Sequence, residues 1–373
     1  MALGVGLSTR ATVKPQRRFR TKWVVPGDPF GTKTIFLPLK SAGTHDFTVD
    51  WGDGTTEHIT NASGHTGGAW VTNYLRFGVL KGNGWRHIYS SGGTYYVTIT
   101  GKIDGWAINN DSLIGTSFTQ LAEVLEWGCL ELGLGSALSK HFYGCTNMVW
   151  SATDRLELGD CTNLGWSFLG CANLGSSGSV NMNTSTVTNF ALMFYSCANF
   201  NMDFCPEFST ESVAGGNSVG LYGFMGGAST GSFTKSFPAA FMAHTNRNTD
   251  FSFFLQAQAS YNNPQISDLD TSSTTVATKM FEDCTAFNQD ISSWDVTSLV
   301  SSSASFMEDC DNYSTANYDA LLIAWNAQDL NTGVTIHFGD QTNYTAGGTA
   351  AAARANLVDA GEHNWTITDG GTA

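Results

Sequence analysis

The sequence predicts a mainly β protein: an N-terminal arm, a β-sandwich, a β-solenoid and an α/β C-terminal cap. Three observations predict this fold class. First, cysteines recur at one fixed spacing, at positions 145, 171 and 197 and again at 284 and 310. Second, short runs of alternating apolar and polar residues precede these cysteines. Third, an amphipathic helix follows them. Self-similarity with a period of roughly 20 to 50 residues is typical of a solenoid, because each unit buries its apolar face only against its neighbours. The predicted boundaries are 1–28 for the arm, 29–105 for the sandwich, 106–311 for the solenoid and 312–373 for the cap.

The arm is basic. Positions 1–22 carry six cations and no acid, so all 32 acidic side chains lie in the rest of the chain and make the body strongly acidic. No apolar pattern stabilises the arm, so we expect it to be disordered in the isolated protein and to dock on an acidic partner. The acidic body argues against nucleic-acid binding by the main domains, whereas the basic arm could contact nucleic acid as well as an acidic protein partner. The candidate docking residues are Arg10, Lys14, Arg17, Arg18, Arg20 and Lys22.

Residues 29–105 show period-2 alternation with Gly-rich turns, which predicts strands at 34–37, 46–51 and 95–100. The phrase Phe47-Thr-Val-Asp-Trp-Gly-Asp-Gly54, with His87-Ile-Tyr89 after it, resembles the polycystic-kidney-disease (PKD) type immunoglobulin-like module. The resemblance implies that the WGDG turn closes a hairpin and that the His-x-Tyr strand pairs across the sandwich. The segment 55–84 is longer than the family norm, and we expect a loop there.

The repeat phrase of the solenoid is an aromatic residue, two intervening residues and a cysteine. The clearest copies begin at Phe142, Phe168, Phe194 and Phe281, and looser copies begin at Phe224, Phe254 and Phe306. The anchor positions are predicted at 145, 171, 197, 227, 257, 284 and 310. Because repeat-equivalent side chains point in parallel, we expect buried free thiols and not disulfides. The predicted repeat core is Phe142, Cys145, Phe168, Cys171, Phe194, Cys197, Phe281, Cys284, Trp294 and Phe306.

The segment Met280-Phe-Glu-Asp-Cys-Thr-Ala-Phe-Asn-Gln-Asp-Ile-Ser-Ser-Trp-Asp-Val296 resembles the repeat of BspA-like bacterial surface proteins, a divergent leucine-rich-repeat family. The resemblance implies a strand and a short helix or turn in each unit. It also implies that Ile291, Trp294, Val296 and Phe306 point inward. For function, it implies adhesion or protein recognition at a surface.

The cap begins with a predicted helix over 318–325, which has one apolar face and Ser314 or Thr315 as its N-cap. A strand over 333–338, an Ala-rich helix over 349–359 and a last strand over 364–371 complete the cap. Such a cap covers the otherwise exposed edge of a repeat stack.

The sequence predicts no enzyme, no catalytic residue, no metal and no cofactor. Asp50, Asp53 and Glu57 offer oxygen ligands for Ca²⁺, but a capped turn at Asp53-Gly54 explains them more simply. Repeated acidic pairs such as Glu282/Asp283 and Glu308/Asp309 leave carbohydrate cleavage as the less favoured enzymatic alternative. No apolar run is long enough to insert in a membrane.

The predicted function is that of a structural and recognition protein of a bacteriophage virion: a fibre, a spike or a capsid decoration. This prediction follows from surface-type repeats in a sequence without an evident export signal or wall-sorting motif. Its partners would be virion proteins, met through the arm, and a host surface protein or glycan. We expect a homo-oligomer or many copies on one particle. The alternative is a bacterial adhesin, either secreted or held at the cell surface.

The candidate partner-binding site lies where the repeat period lengthens. The gaps from 197 to 227 and from 227 to 257 exceed the basic period and contain Lys235, His244 and Arg247, which are rare basic or histidine residues in an acidic body. Insertions in repeats usually map to loops on one side of a solenoid. Repeat drift without function is the alternative interpretation. Replacing Lys235 and Arg247 with Ala should weaken partner binding while changing stability by about 0.5 kcal/mol or less.

Overall fold

The computed structural model describes residues 17–27, 33–40, 42–60, 69–76, 79–108, 119–227, 231–300 and 302–373. Strand makes up 23% and helix 11% of the chain, so the prediction of a mainly β protein is confirmed. No helix within these ranges is long and apolar enough to cross a bilayer.

The first ten strands lie before the middle of the repeat region. They are β1 (Arg18–Val25), β2 (Thr34–Leu37), β3 (His45–Asp50), β4 (Thr56–Thr60), β5 (Ala69–Arg76), β6 (Val79–Ile88), β7 (Gly93–Asp104), β8 (Leu121–Glu126), β9 (Leu130–Glu131) and β10 (Val149–Trp150).

The remaining elements follow in chain order. They are β11 (Ser179–Val180), β12 (Asp203–Phe204), α1 (Ala239–Met242), two 3-10 helices (Thr245–Arg247 and Pro264–Asp268), α2 (Thr315–Asn326), β13 (Thr335–His337), β14 (Asn343–Tyr344), α3 (Thr349–Val358), β15 (Thr366–Thr368) and β16 (Gly371–Thr372).

Strand β1 corrects the prediction of a disordered arm, which is wrong for residues 18–25. This strand pairs antiparallel with β7 along its full length and with β8 on its other side. Its alternate residues Phe19, Thr21, Trp23 and Val25 are all buried. Period-2 burial of this kind produces a strand whatever the charge of the outward residues. Arg10 and Lys14 lie outside the described residues.

The sheet that contains β1 crosses the predicted boundary at residue 105. Its order is β10-β8-β1-β7-β3-β4, and β9 pairs in parallel with β7. Aromatic side chains connect this sheet to the residues beyond the boundary. The Phe19 ring centroid lies 5.3 Å from that of Trp106, and the Trp127 centroid lies 5.4 Å from that of Phe142. The N-terminal sheet therefore covers the first repeats, and the two regions share one apolar core.

A second, three-stranded sheet has the order β2-β6-β5. The segment 55–84, expected as a loop, instead holds β4, β5 and the start of β6. The two sheets meet through the Trp51 and His87 rings, which stack with centroids 4.4 Å apart. Tyr89 Oη also donates a hydrogen bond to Trp51 O at 3.0 Å.

Successive repeats are hydrogen bonded to each other in parallel. Phe142 N donates to Ser167 O at 2.7 Å, and Phe281 N donates to Phe306 O at 2.9 Å. A parallel β-bridge also joins Asn163 to Asn189, its equivalent in the next repeat. The backbone N–H groups at these positions are therefore satisfied by the neighbouring repeat and not within the same one.

Two positions in every repeat adopt left-handed backbone conformation, and they give the register of the whole stack. The first set is Lys140, Trp166, Leu192, Gly223, Phe253, Lys279 and Ser305, and the second is Gly144, Gly170, Ser196, Gly227, Ala257, Asp283 and Asp309. The two sets run in step: their spacing is constant at both ends of the stack and lengthens only on either side of Gly223. A positive φ is costly for bulky residues such as Trp166 and Phe253, so the turn geometry of the repeat overrides local preference.

The C-terminal region has the predicted helix and strands. Ser314 is the N-cap of α2, and its hydroxyl accepts a hydrogen bond from Asn317 N. Strands β13 and β15 pair in parallel, and a bridge between Ser303 and Ile336 joins them to the last repeat. The exposed edge of the stack is thereby covered.

Candidate functional site

The aromatic residues of the repeats form an internal column. The Phe168 ring stacks between those of Phe142 and Phe194, with centroids 5.4 Å apart on both sides and interplanar angles of 5° and 9°. The ten residues predicted for the repeat core are all buried. Phe306 is buried one position off the column, because Met307 occupies the place equivalent to Phe281.

The cysteines form a second column beside the first. The thiols of Cys171, Cys197, Cys284 and Cys310 each donate to a carbonyl of the preceding repeat: Cys171 Sγ lies 3.1 Å from Phe142 O, and Cys310 Sγ lies 2.9 Å from Phe281 O. Burial raises the pKa of the Cys171 thiol well above its usual value. All eight cysteines of the chain are free. The column thiols pack and donate hydrogen bonds, and a raised pKa makes a thiol a poor nucleophile.

Gln258 takes the cysteine position in one of the central repeats, which corrects the predicted anchors at 227 and 257. Gly227 and Ala257 share the left-handed position of Gly144, which directly precedes a cysteine. The buried Gln258 amide donates to Met225 O, and its carbonyl accepts from Phe233 N at 3.2 Å. The amide thus replaces the thiol hydrogen bond and satisfies one more backbone group.

The first left-handed position defines an outward column whose residue type changes from repeat to repeat. Trp166 is 38% exposed, and Lys140 Nζ lies 4.9 Å from the centroid of its ring. The Tyr143 ring lies 6.2 Å from that of Trp166. A cation over an exposed aromatic face is stabilised by about 0.5–1 kcal/mol. The repeats therefore present different side chains at one equivalent backbone position.

The same surface is acidic near the C-terminal repeats. Glu282 accepts hydrogen bonds from Lys279 Nζ and Gln256 Nε2. Partial burial, together with the charges of Glu282 and Asp309, raises the pKa of Asp283. Asp283 and Asp309 are repeat-equivalent surface carboxylates that the frame stacks together, and Lys279 and Gln256 partly compensate the buried Glu282.

The predicted docking cations that the structure describes are paired. Arg18 and Arg20 both bind the Glu126 carboxylate, at 2.9 and 2.8 Å. These hydrogen bonds, the Arg18 bond foremost, hold the pKa of Glu126 below its usual value. Lys22 Nζ lies 3.4 Å from Glu123, and Arg17 lies 3.1 Å from Glu157. Three of the six cations therefore pair β1 with the neighbouring strand β8, and Arg17, just before β1, pairs with Glu157.

The candidate partner-binding residues occupy different surroundings. Lys235 Nζ lies 3.3 Å from an Asp203 carboxylate oxygen, so its charge is compensated. His244 precedes the 3-10 helix that ends at Arg247, and Arg247 is exposed. This helix lies against the Gly-containing segment 215–220, since a Cβ on Gly215 would come within 2.9 Å of Arg247 O. Arg247 is thus the better placed of the two cations to meet a partner.

The WGDG segment forms a self-capped turn between β3 and β4. Asp50 Oδ1 accepts from Gly52 N at 2.9 Å, and Asp53 Oδ1 accepts from Thr55 N at 3.0 Å. His87 Nε2 lies 2.9 Å from Asp53 Oδ2. Within the described ranges, no group of three His, Cys, Asp or Glu side chains is arranged to hold a metal ion.

Comparison with known protein families gives one match. The family described as "Mycoplasma protein of unknown function, DUF285" matches residues 136–219 and 237–344, just over half of the chain. No curated protein and no solved structure matches the chain.

Proposed function

The chain belongs to the family described as Mycoplasma protein of unknown function, DUF285, and we propose that it is a non-enzymatic recognition protein that displays its repeats at a surface. The family is related to the BspA-like surface repeat proteins. This relationship favours the surface role that the repeat phrase predicts.

One observation carries the proposal: the repeats keep a regular buried interior, with Gln258 in place of one cysteine and Met307 in place of one phenylalanine, and a variable exterior. The phenylalanine and cysteine columns are buried in repeat after repeat, whereas the first left-handed position changes from Lys140 to Trp166 to Leu192. Repeat proteins recognise partners in this way, with a fixed frame that presents an extended surface of varied side chains. We interpret the frame as a leucine-rich-repeat-like β-solenoid.

For the N-terminal sheets we propose a PKD-like β-sandwich. The WGDG turn joins the hairpin strands β3 and β4, in which Asp50 pairs with Thr56. His87, in the other sheet, contacts Asp53 of that turn. Both features agree with the family pattern. The sandwich would act as a spacer and as the N-terminal cover of the solenoid.

Two settings suit this role, a bacteriophage virion and a bacterial cell surface. In the virion, docking would involve the residues before strand β1, because the cations of the strand itself are paired. At a cell surface, the relationship to BspA-like proteins is the supporting observation.

Quantitative mass spectrometry tests the proposal. Purified virions, the cell envelope and the cytosol of the source culture are compared for peptides of this chain. Enrichment in virions or in the envelope supports the role and selects the setting. A chain found only in the cytosol contradicts both settings.

A further inference from the structure

A groove crosses three successive repeats next to the cysteine column. It has a volume of about 910 Å³, which is within the range of small-molecule sites. Its walls include Asn147, Asn173 and Asn199, which hold the same position in three successive repeats, and the glycine-bounded turn 175–178. We call it the Asn–Ser groove, after these asparagines and the serines of the turn and its flanks.

Glycine at 175 lets the turn approach the Met202 side chain closely. Its φ is 150°, and a Cβ at this position would come within 3.2 Å of Met202 Sδ. Ser176 and Ser177 are exposed at the tip of the turn. The turn therefore forms one wall of the groove, and the repeat-equivalent asparagines contribute another.

The groove is electrically neutral, although the chain has a net charge of −14. None of its described lining residues is acidic or basic. Two carboxylates next to its lining residues are compensated: Glu123 by Lys22 and by the Ser151 hydroxyl, and Asp203 by Lys235. A phosphate or another anionic ligand would gain no ion pair there.

The lining combines hydrogen-bonding groups with apolar surface. Asn147 Nδ2 donates to Thr119 O at 2.9 Å, and Asn173 Nδ2 donates to Thr146 O at 3.0 Å. Asn199 Nδ2 donates in turn to Asn173 Oδ1 at 3.1 Å. A carboxamide has two N–H donors and a carbonyl oxygen with two lone pairs, so these bonds leave donor and acceptor capacity for a ligand. Val149, 38% exposed, adds apolar contact.

We propose that the Asn–Ser groove binds a neutral oligosaccharide. Sugar hydroxyls pair with amides and hydroxyls, and the C–H faces of a sugar ring pack on apolar side chains. Repeats about 4.8 Å apart place the three asparagines along about 10 Å, which suits a short chain of sugar units. This inference rests on the proposed recognition role and names the ligand class.

The test uses the full-length chain on an array of neutral, sialylated and sulfated oligosaccharides, followed by titration calorimetry with the strongest neutral ligand. Ser177→Trp fills the groove from an exposed position, and we expect it to weaken binding at least tenfold. Asn173→Ala should weaken binding about three- to tenfold. Asn312→Ala is the matched control, because Asn312 donates the same kind of hydrogen bond to Thr285 O outside the groove. The affinity of this variant for the oligosaccharide should equal that of the wild type.

Circular dichroism establishes that each variant is folded, and Ser176→Trp replaces Ser177→Trp if the latter does not fold. Binding restricted to anionic glycans, no binding to any neutral glycan, or equal affinity for wild type and the tryptophan variant would overturn the inference. Mass spectrometry of virions and envelopes is independent of the groove. A chain that is located at a surface but binds no neutral glycan would leave the recognition role standing and remove only the groove from it.

Discussion

Replacing Phe168 with Ala tests the internal aromatic column. Phe168 is fully buried, and its ring stacks on Phe142 and Phe194 with both centroid distances at 5.4 Å. Truncating a buried phenylalanine costs about 3–5 kcal/mol through lost transfer free energy and the cavity left behind. The loss of two stacked ring pairs, each contributing about 0.5–1.5 kcal/mol, places this variant at the upper end, at about 5 kcal/mol.

The assay is urea unfolding followed by tryptophan fluorescence and far-UV circular dichroism. Trp166→Ala is the control, since it removes an aromatic residue from the outside of the same repeat. We expect it to lower the free energy of unfolding by less than about 1 kcal/mol. A Phe168→Ala cost below about 1 kcal/mol, or equal costs for the two variants, would refute the column.

Three further predictions concern the repeat frame. Cys171→Ala should lower stability by about 1–2 kcal/mol, and iodoacetamide should modify the wild-type thiol only after unfolding; fast labelling of native protein would contradict its burial. Gln258→Leu should lower the free energy of unfolding, measured by urea titration, by about 2–4 kcal/mol, because two buried backbone groups lose their hydrogen-bond partner. An unchanged free energy of unfolding would show that Gln258 does not stabilise these groups. Burial and acidic neighbours raise the folded-state pKa of Asp283 above its unfolded value, so the fold gains stability as the pH falls through the folded-state pKa. Asp283→Asn should therefore stabilise the protein at pH 7 but not below about pH 3.8, the ordinary pKa of an aspartate. A stabilisation by Asp283→Asn that does not change with pH would contradict the electrostatic cause.

The parts of the fold that sequence patterns predicted are those with literal repetition or strong local signals. Phe142, Phe168 and Phe194 share one phrase at one spacing, and the structure buries all three. Helix α2 has both an apolar face and a capping hydroxyl, at Ser314. In these places local preference and burial agree, so one observation is enough to place the element.

Other parts depend on information that the local pattern does not contain. Strand β1 alternates buried residues with cations, and the acids that compensate the cations, Glu123 and Glu126, are distant in the sequence. The cysteine position at Gln258 could not be assigned by similarity, because an amide replaces the thiol there by a different chemistry. Only the backbone, with its recurring left-handed residues, aligns these repeats. The Asn–Ser groove likewise depends on three repeats being adjacent in space.

The most direct test of the surface role is labelling of intact virions and of intact cells with a membrane-impermeant amine reagent. The repeat region carries lysines at 140, 235 and 279, and mass spectrometry reads out their modification. We predict that these lysines are labelled on intact particles or cells, without lysis. Labelling that appears only after the particles or cells are broken open would contradict a recognition protein displayed at a surface.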